Sequence, residues 1–138
     1  MKLLVRPSLL RGEIAVTGSK SHTIRGIAAA LAEGETRLLN VPQARVKETD
    51  RIAVMASELG KMGADIEELP DGMIIRGGRL HGAEVSSFAD HRIAMALAVA
   101  GLAADGETVI DGAEAASVTY PDFIRDFQNI GADFTVIQ

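Results

Sequence analysis

The sequence predicts a mixed α/β (α+β) fold built from two repeated β-α-β-α-β-β units within a single domain, residues 1–138. Three observations lead there. Short strand-like runs alternate with helical ones along the chain. Two landmarks recur, "AEGETRLLN" (32–40) as "ADGETVIDG" (104–112) and "KMGADIEEL" (61–69) as "NIGADFTVI" (129–137), so that Gly34 answers Gly106 and Gly63 answers Gly131. A period of about 70 residues is the mark of a duplicated supersecondary unit, here approximately 12–78 and 79–138. Finally, 138 residues with 47% hydrophobic and 24% charged suit one compact soluble domain.

The elements follow in order. "EIAVTG" reads as a strand, and Ile24, Ile27, Ala28 and Leu31 fall on one face of the helix after it. Gly34 stops that helix and "ETRLLNV" forms the next strand. Ile52, Met55, Ala56, Leu59 and Met62 make the stripe of a second helix, which begins near Thr49 as N-cap and ends at Gly63. "DIEEL" and "GMIIRG", joined by "PDG", predict a hairpin. The second unit contains the helix "DHRIAMALAVAGLA", with Asp90 as N-cap and an apolar surface nearly all round from Ile93 to Ala103. "VTYPDF" opens a last helix with Pro121 at its first position and Phe123, Phe127 and Ile130 on its core face. Met55, Met62 and Met95 are expected in the core.

Composition excludes several classes of function. Without Cys there is neither a disulfide framework nor a thiolate site. A net charge of −5 and 4% aromatic residues argue against nucleic-acid binding. "MKLLVRPSLLRG" is broken by Arg6, Pro7 and Arg11 before a signal-peptide core forms, and no apolar run is long enough to span a bilayer. A cytoplasmic protein is expected. His22 and His81 are isolated, and no ligand spacing supports a metal.

Cations stand where helices begin. In "SKSHTIR", Lys20 and Arg25 flank the start of a helix whose free N–H groups already present partial positive charge. Shifted by the first offset, Lys20 falls opposite Arg92, which opens the corresponding apolar helix. Such places suit an anion arriving from outside, and equally a solvated helix start capped by Ser. "RVKETDRI" (45–52) gathers Arg45, Lys47 and Arg51 around Glu48 and Asp50. Glu48 and Arg51 lie within one turn, a plausible acid/base group beside an anion clamp, and the same residues could form an exposed ion-pair network.

"GSKSHTIR", "RVKETDRI", "DHRIAMALAVAGL" and "VTYPDF", in that order, resemble the 5-enolpyruvylshikimate-3-phosphate synthase family (3-phosphoshikimate 1-carboxyvinyltransferases), as do "EGETRLLN" and "KMGADIEELPDGMIIRGG". The resemblance covers nearly the whole chain. It implies part of an enolpyruvyl transferase domain and a shikimate-pathway activity: moving the enolpyruvyl group of phosphoenolpyruvate to shikimate 3-phosphate with release of phosphate, without metal or organic cofactor. Carried over position by position, it implies that Lys20 touches both substrates, Ser21 and Arg25 hold shikimate 3-phosphate, and Arg51 and Arg92 grip phosphoenolpyruvate. Lys47 and Glu48 match the proton-handling pair, with Glu48 the group that protonates the methylene carbon. Asp90 and His91 match residues beside that clamp. Val118 stands where some members carry Lys.

The departures are as informative. Members of the family are much longer, and here the "GSKS" helix runs directly into "RVKETDRI". The unit that normally precedes "RVKETDR" opens its helix with an Asp acting as general base, and Lys20 falls in that place. The chain therefore looks like a shortened form lacking that base and one whole domain. As an isolated chain it is expected to be weak or inactive, or to be active only where a second copy or a complementing chain completes the cleft. The alternatives are a non-catalytic anion-binding half-site and a structural fragment. The related transferase acting on UDP-N-acetylglucosamine fits less well, because "SKS" and "KETDR" favour the shikimate enzyme. Apolar helix faces left by the missing unit are expected to drive self-association.

Overall fold

The computed structural model describes residues 1–8 and 34–138. The expected "EIAVTG" strand and the helix through Leu31 lie outside the described residues, as do Lys20, Ser21 and Arg25. Within them the elements are β1 (Lys2–Arg6), β2 (Glu35–Leu38), a 3-10 turn (Pro42–Arg45), α1 (Arg51–Lys61), β3 (Asp65–Leu69), β4 (Gly72–Arg76) and β5 (Glu84–Ser86). Then come α2 (His91–Ala103), β6 (Thr108–Asp111), a 3-10 segment (Ala113–Val118), α3 (Phe123–Asn129) and β7 (Asp133–Ile137).

The described strands form two sheets. One is antiparallel in the order β2-β4-β3 and the other runs β5-β6-β1-β7, with β5 parallel to β6 and β1 antiparallel to both its neighbours. The mixed α/β class is as expected, and so is the β3-β4 hairpin. α1 packs against β3, β4 and β5, whereas α2 lies on β1 and β6 and touches α1. One core joins Ile52, Met55, Leu59 and Met62 of the first part to Ile93, Leu97 and Ile110 of the second, with Leu3 and Val5 of β1 between them.

The landmark glycines explain themselves locally. Gly63 has φ +86° and closes α1 with a paired bond set, its own N–H to the Gly60 carbonyl (3.0 Å) and that of Ala64 to Leu59 (3.0 Å). Gly131, φ +109°, ends α3 in the same way, with bonds to Gln128 (3.0 Å) and from Ala132 to Phe127 (2.9 Å). This is the Schellman arrangement, in which a left-handed residue satisfies the last carbonyls of a helix.

The second sheet departs from expectation. After α3 there is one strand instead of a hairpin, and the N-terminal β1 occupies the place that β4 holds between β2 and β3. The charges confirm the equivalence of position. Arg76 on β4 pairs with Glu35 (3.3 Å) and Asp65 (3.5 Å), and Arg6 on β1 pairs with Glu107 (2.8 Å) and Asp133 (3.3 Å).

Two smaller corrections have physical causes. The N-cap of α1 is Asp50, not Thr49, because its carboxylate reaches the Ala53 N–H (3.0 Å) while the Thr49 hydroxyl points elsewhere. α3 begins at Phe123 after Asp122, since Pro121 is taken up in a turn closed by the Phe123 N–H on the Tyr120 carbonyl (3.1 Å). α2 is enclosed as its apolar surface requires, and only Ala103 on it is exposed. That helix therefore does not supply the open apolar face expected to drive self-association.

α2 approaches its sheet closely at Gly101, where a Cβ would meet Val5 at 3.0 Å and Thr108 at 3.2 Å. Thr108 beneath it is fully buried, and its hydroxyl has no hydrogen-bond partner among the described residues. A buried unpaired hydroxyl destabilises the folded state, and valine has nearly the same shape. Thr108→Val is therefore expected to raise unfolding free energy by about 1 kcal/mol in a urea titration; an unchanged or lower midpoint would contradict the assignment.

Candidate functional site

The site lies where the N-termini of α1 and α2 meet. Asp90 caps α2 by accepting from the backbone N–H groups of Arg92 (2.9 Å) and Ile93 (3.4 Å). Its carboxylate also takes the Arg51 guanidinium across the gap, Nε to Oδ2 at 2.7 Å and Nη2 to Oδ1 at 3.2 Å, and the Thr49 hydroxyl at 3.0 Å. Arg51 Nη2 donates to Glu48 as well. His91 Nδ1 stands 3.9 Å from the other Glu48 oxygen.

Burial decides what this cluster is. Arg51 is 5% exposed and Asp90 0%, so the pair is no surface ion network of the kind that contributes little. Glu48 and Lys47 are exposed at its mouth, His91 is buried, and Arg92 is half-buried. Burial alone would raise the Asp90 carboxyl, but the hydrogen bonds from Arg51 and the Arg92 backbone, with the Arg51 charge and the Thr49 hydroxyl, hold it below the usual carboxylate range.

Local structure sets these positions. Phe88 and Ala89, the two residues before the cap, both have left-handed backbones (φ 50° and 57°), unusual for residues with side chains. The turn is pinned by Ser87, whose hydroxyl donates to the Gly112 carbonyl (2.8 Å) and accepts from the Ala89 N–H (3.1 Å). On the other side, Arg45 anchors the loop bearing Lys47 and Glu48. It donates to the carbonyls of Pro70 (2.7 Å) and Leu69 and pairs with Asp50 (2.8 Å) and Glu68 (2.8 Å). Burial works against the Asp50 carboxylate, but the Ala53 N–H and Arg45 hold its pKa below the usual range.

Of the residues singled out in the sequence, Glu48, Arg51, Asp90 and His91 come together, with Lys47 and Arg92 adjoining them. Thr49 and Arg45 acquire roles that the sequence did not announce. Thr49 reads as a cap by type, and only the fold brings Asp90, 41 residues away, within reach of its hydroxyl. Among the described residues no group of three or more His, Cys, Asp or Glu is placed to hold a metal ion, and no helix is long and apolar enough to cross a membrane.

Chemically, the arrangement is a buried guanidinium fixed on one side by a carboxylate that has no freedom left. On the other side a mobile-length, solvent-facing glutamate shares the guanidinium, with Lys47 beside it. An incoming anion can compete with Glu48 for Arg51 but not with Asp90, whose oxygens are enclosed. Displacing Glu48 would leave its carboxyl next to the bound group.

The family model for EPSP synthase (3-phosphoshikimate 1-carboxyvinyltransferase) matches residues 26–127, which include the whole of this cluster and begin just after Arg25. A 3-phosphoshikimate 1-carboxyvinyltransferase from Ruminiclostridium cellulolyticum is 62% identical over 111 residues, covering 80% of this chain and 26% of that protein. One from Methanocella arvoryzae is 47% identical over 138 residues, 91% of this chain and 33% of the relative. The 2.37 Å structure of EPSP synthase from Acinetobacter baumannii gives a TM-score of 0.80 at 40% identity, over 84% of this chain and 28% of that one. The chain thus spans about a quarter to a third of the length of these relatives.

Proposed function

This chain belongs to the EPSP synthase family, and we propose that it carries the phosphoenolpyruvate side of a cleft for transfer of the enolpyruvyl group to shikimate 3-phosphate, with release of phosphate. The observation that carries this is the buried Arg51, locked by Asp90 at two helix N-termini, with Lys47 and Glu48 exposed beside it. Helix N-termini and guanidinium groups are suited to phosphate and carboxylate.

In this proposal Arg51 and Arg92 grip phosphoenolpyruvate. Glu48 delivers a proton to the methylene carbon, and Lys47 balances the charge beside it. Asp90 acts through Arg51, because its carboxylate is enclosed. His91 orients Glu48. Lys20, Ser21 and Arg25 would hold shikimate 3-phosphate. The chain is one domain of two units, approximately 12–78 and 79–138, the second taking β1 as its last strand. It works in the cytoplasm without a cofactor. In the same reading the cleft is completed by a second copy or a complementing chain, since a polyanionic pair of substrates requires cations on more than one side.

Release of inorganic phosphate from the two substrates tests this. Release is expected only when both are present, to rise more than linearly with protein concentration, and to fall about 10²-fold or more in Glu48→Gln. Release at background over the whole concentration range would remove the activity and leave an anion-binding half-site.

A further inference from the structure

Arg51 is not the only polar group that α1 buries. Seven residues on, and so on the same face of the helix, Glu58 is buried as well, its side chain 1% exposed. One of its oxygens accepts from the Ser86 N–H at 2.9 Å and from Lys61 Nζ at 2.8 Å. The other accepts from the Ser57 hydroxyl at 3.1 Å. Ser86 is the last residue of β5, and the strained turn through Phe88 and Ala89 begins directly after it. Its own hydroxyl accepts from the Phe88 N–H at 3.2 Å.

One helix face therefore holds the Ser86–Asp90 turn at both ends, Glu58 at its entry and Arg51 at its exit. We infer that Glu58 is a positioning residue: by fixing Ser86 it sets the turn that presents Asp90, and through Asp90 the orientation of the Arg51 guanidinium. A buried charge is a poor device for stability alone, since an apolar side chain of like volume is often as good or better. What an apolar residue cannot supply is an acceptor for the Ser86 N–H, which would otherwise be an unsatisfied donor at the mouth of a turn with two left-handed residues. Lys61, half-exposed, partly balances the charge from the solvent side.

The orientation of Arg51 is read without any ligand; the consequence for phosphoenolpyruvate rests on the function proposed above. Solvent exchange of the Arg51 Nε–H, which donates to Asp90, is followed by NMR together with the Ser86, Arg92 and Ile93 amides. In Glu58→Leu the acceptor is gone, and in Glu58→Asp the charge stays but its reach is shortened, so a folded variant is available even if one of them fails. Both are expected to speed exchange at Arg51 Nε–H, Arg92 and Ile93 by about tenfold or more while amides of the β3-β4 hairpin stay unchanged. Glu58→Gln, which keeps an acceptor oxygen, is expected to restore the parent rates to within about threefold. Unchanged Arg51 exchange in both Leu and Asp variants would overturn the inference. In a second arm the phosphoenolpyruvate dissociation constant should rise about tenfold in Glu58→Leu and return with Gln. Absence of binding by the parent chain would count against the proposed function only, since the exchange arm decides the positioning role by itself.

Discussion

Asp90→Asn is expected to lower the unfolding free energy by about 3–5 kcal/mol, the usual cost of leaving a buried charge without its partner. The asparagine oxygen can still cap α2, but its amide group would face the Arg51 guanidinium, which now donates two hydrogen bonds to the carboxylate. The loss should depend on pH. In the folded chain the Asp90 carboxyl is held below the ordinary range, so its stabilising contribution is complete above the unfolded value of about 3.9 and is lost as pH falls through the lower folded one. Urea titrations from neutral pH down to acid should therefore show parent and variant converging below about pH 4. Equal stabilities at neutral pH would mean that Arg51 is balanced by Glu48 alone.

Removal of residues 1–6 is expected to abolish cooperative unfolding. β1 is the only strand of the described residues that pairs with both β6 and β7, and its Leu3 and Val5 are 2% and 0% exposed. Truncating two such side chains costs about 4–8 kcal/mol, comparable with the whole stability of a small domain. The milder pair Leu3→Ala and Val5→Ala should lower the thermal midpoint steeply while leaving protection of the β3-β4 hairpin amides last to go. A shortened chain that still melted cooperatively, with β6 and β7 amides protected, would show that β1 only covers the sheet.

That strand also shows where the sequence was readable and where it was not. "LLVR" (3–6) has the pattern of "MIIR" (73–76), and each ends in the Arg that clamps the neighbouring acidic residues. The signal lay out of order, at the opposite end of the chain from the unit it completes, so a repeat followed in sequence order passes over it. α1, the β3-β4 hairpin and the enclosed α2 were legible because their information is local: apolar period, turn residues and a cap. The N-cap of α1 moved by one residue because Thr49 and Asp50 are both good caps by type, and only the packing of Thr49 against Asp90 separates them.

Within the site, Glu48 and Arg51 could be paired from their spacing alone, three residues apart across a helix start. Arg51 and Asp90 could not, since 39 residues separate them and only the meeting of two helix N-termini makes them partners. A separation of 28 residues from Ser86 likewise hid Glu58, whose neighbours Ser57 and Lys61 suggest an ordinary solvated face. Its burial comes from β5, and nothing in the helix itself announces that strand.

A chemical-shift titration with phosphoenolpyruvate decides whether the helix N-termini around Arg51 form the proposed clamp, because it registers weak binding and its place together. Saturable shifts are expected at Glu48, Thr49, Arg51, His91 and Arg92, lost in Arg92→Ala with the rest of the spectrum unchanged. A spectrum that does not respond at millimolar ligand, or that responds equally in Arg92→Ala, would contradict it.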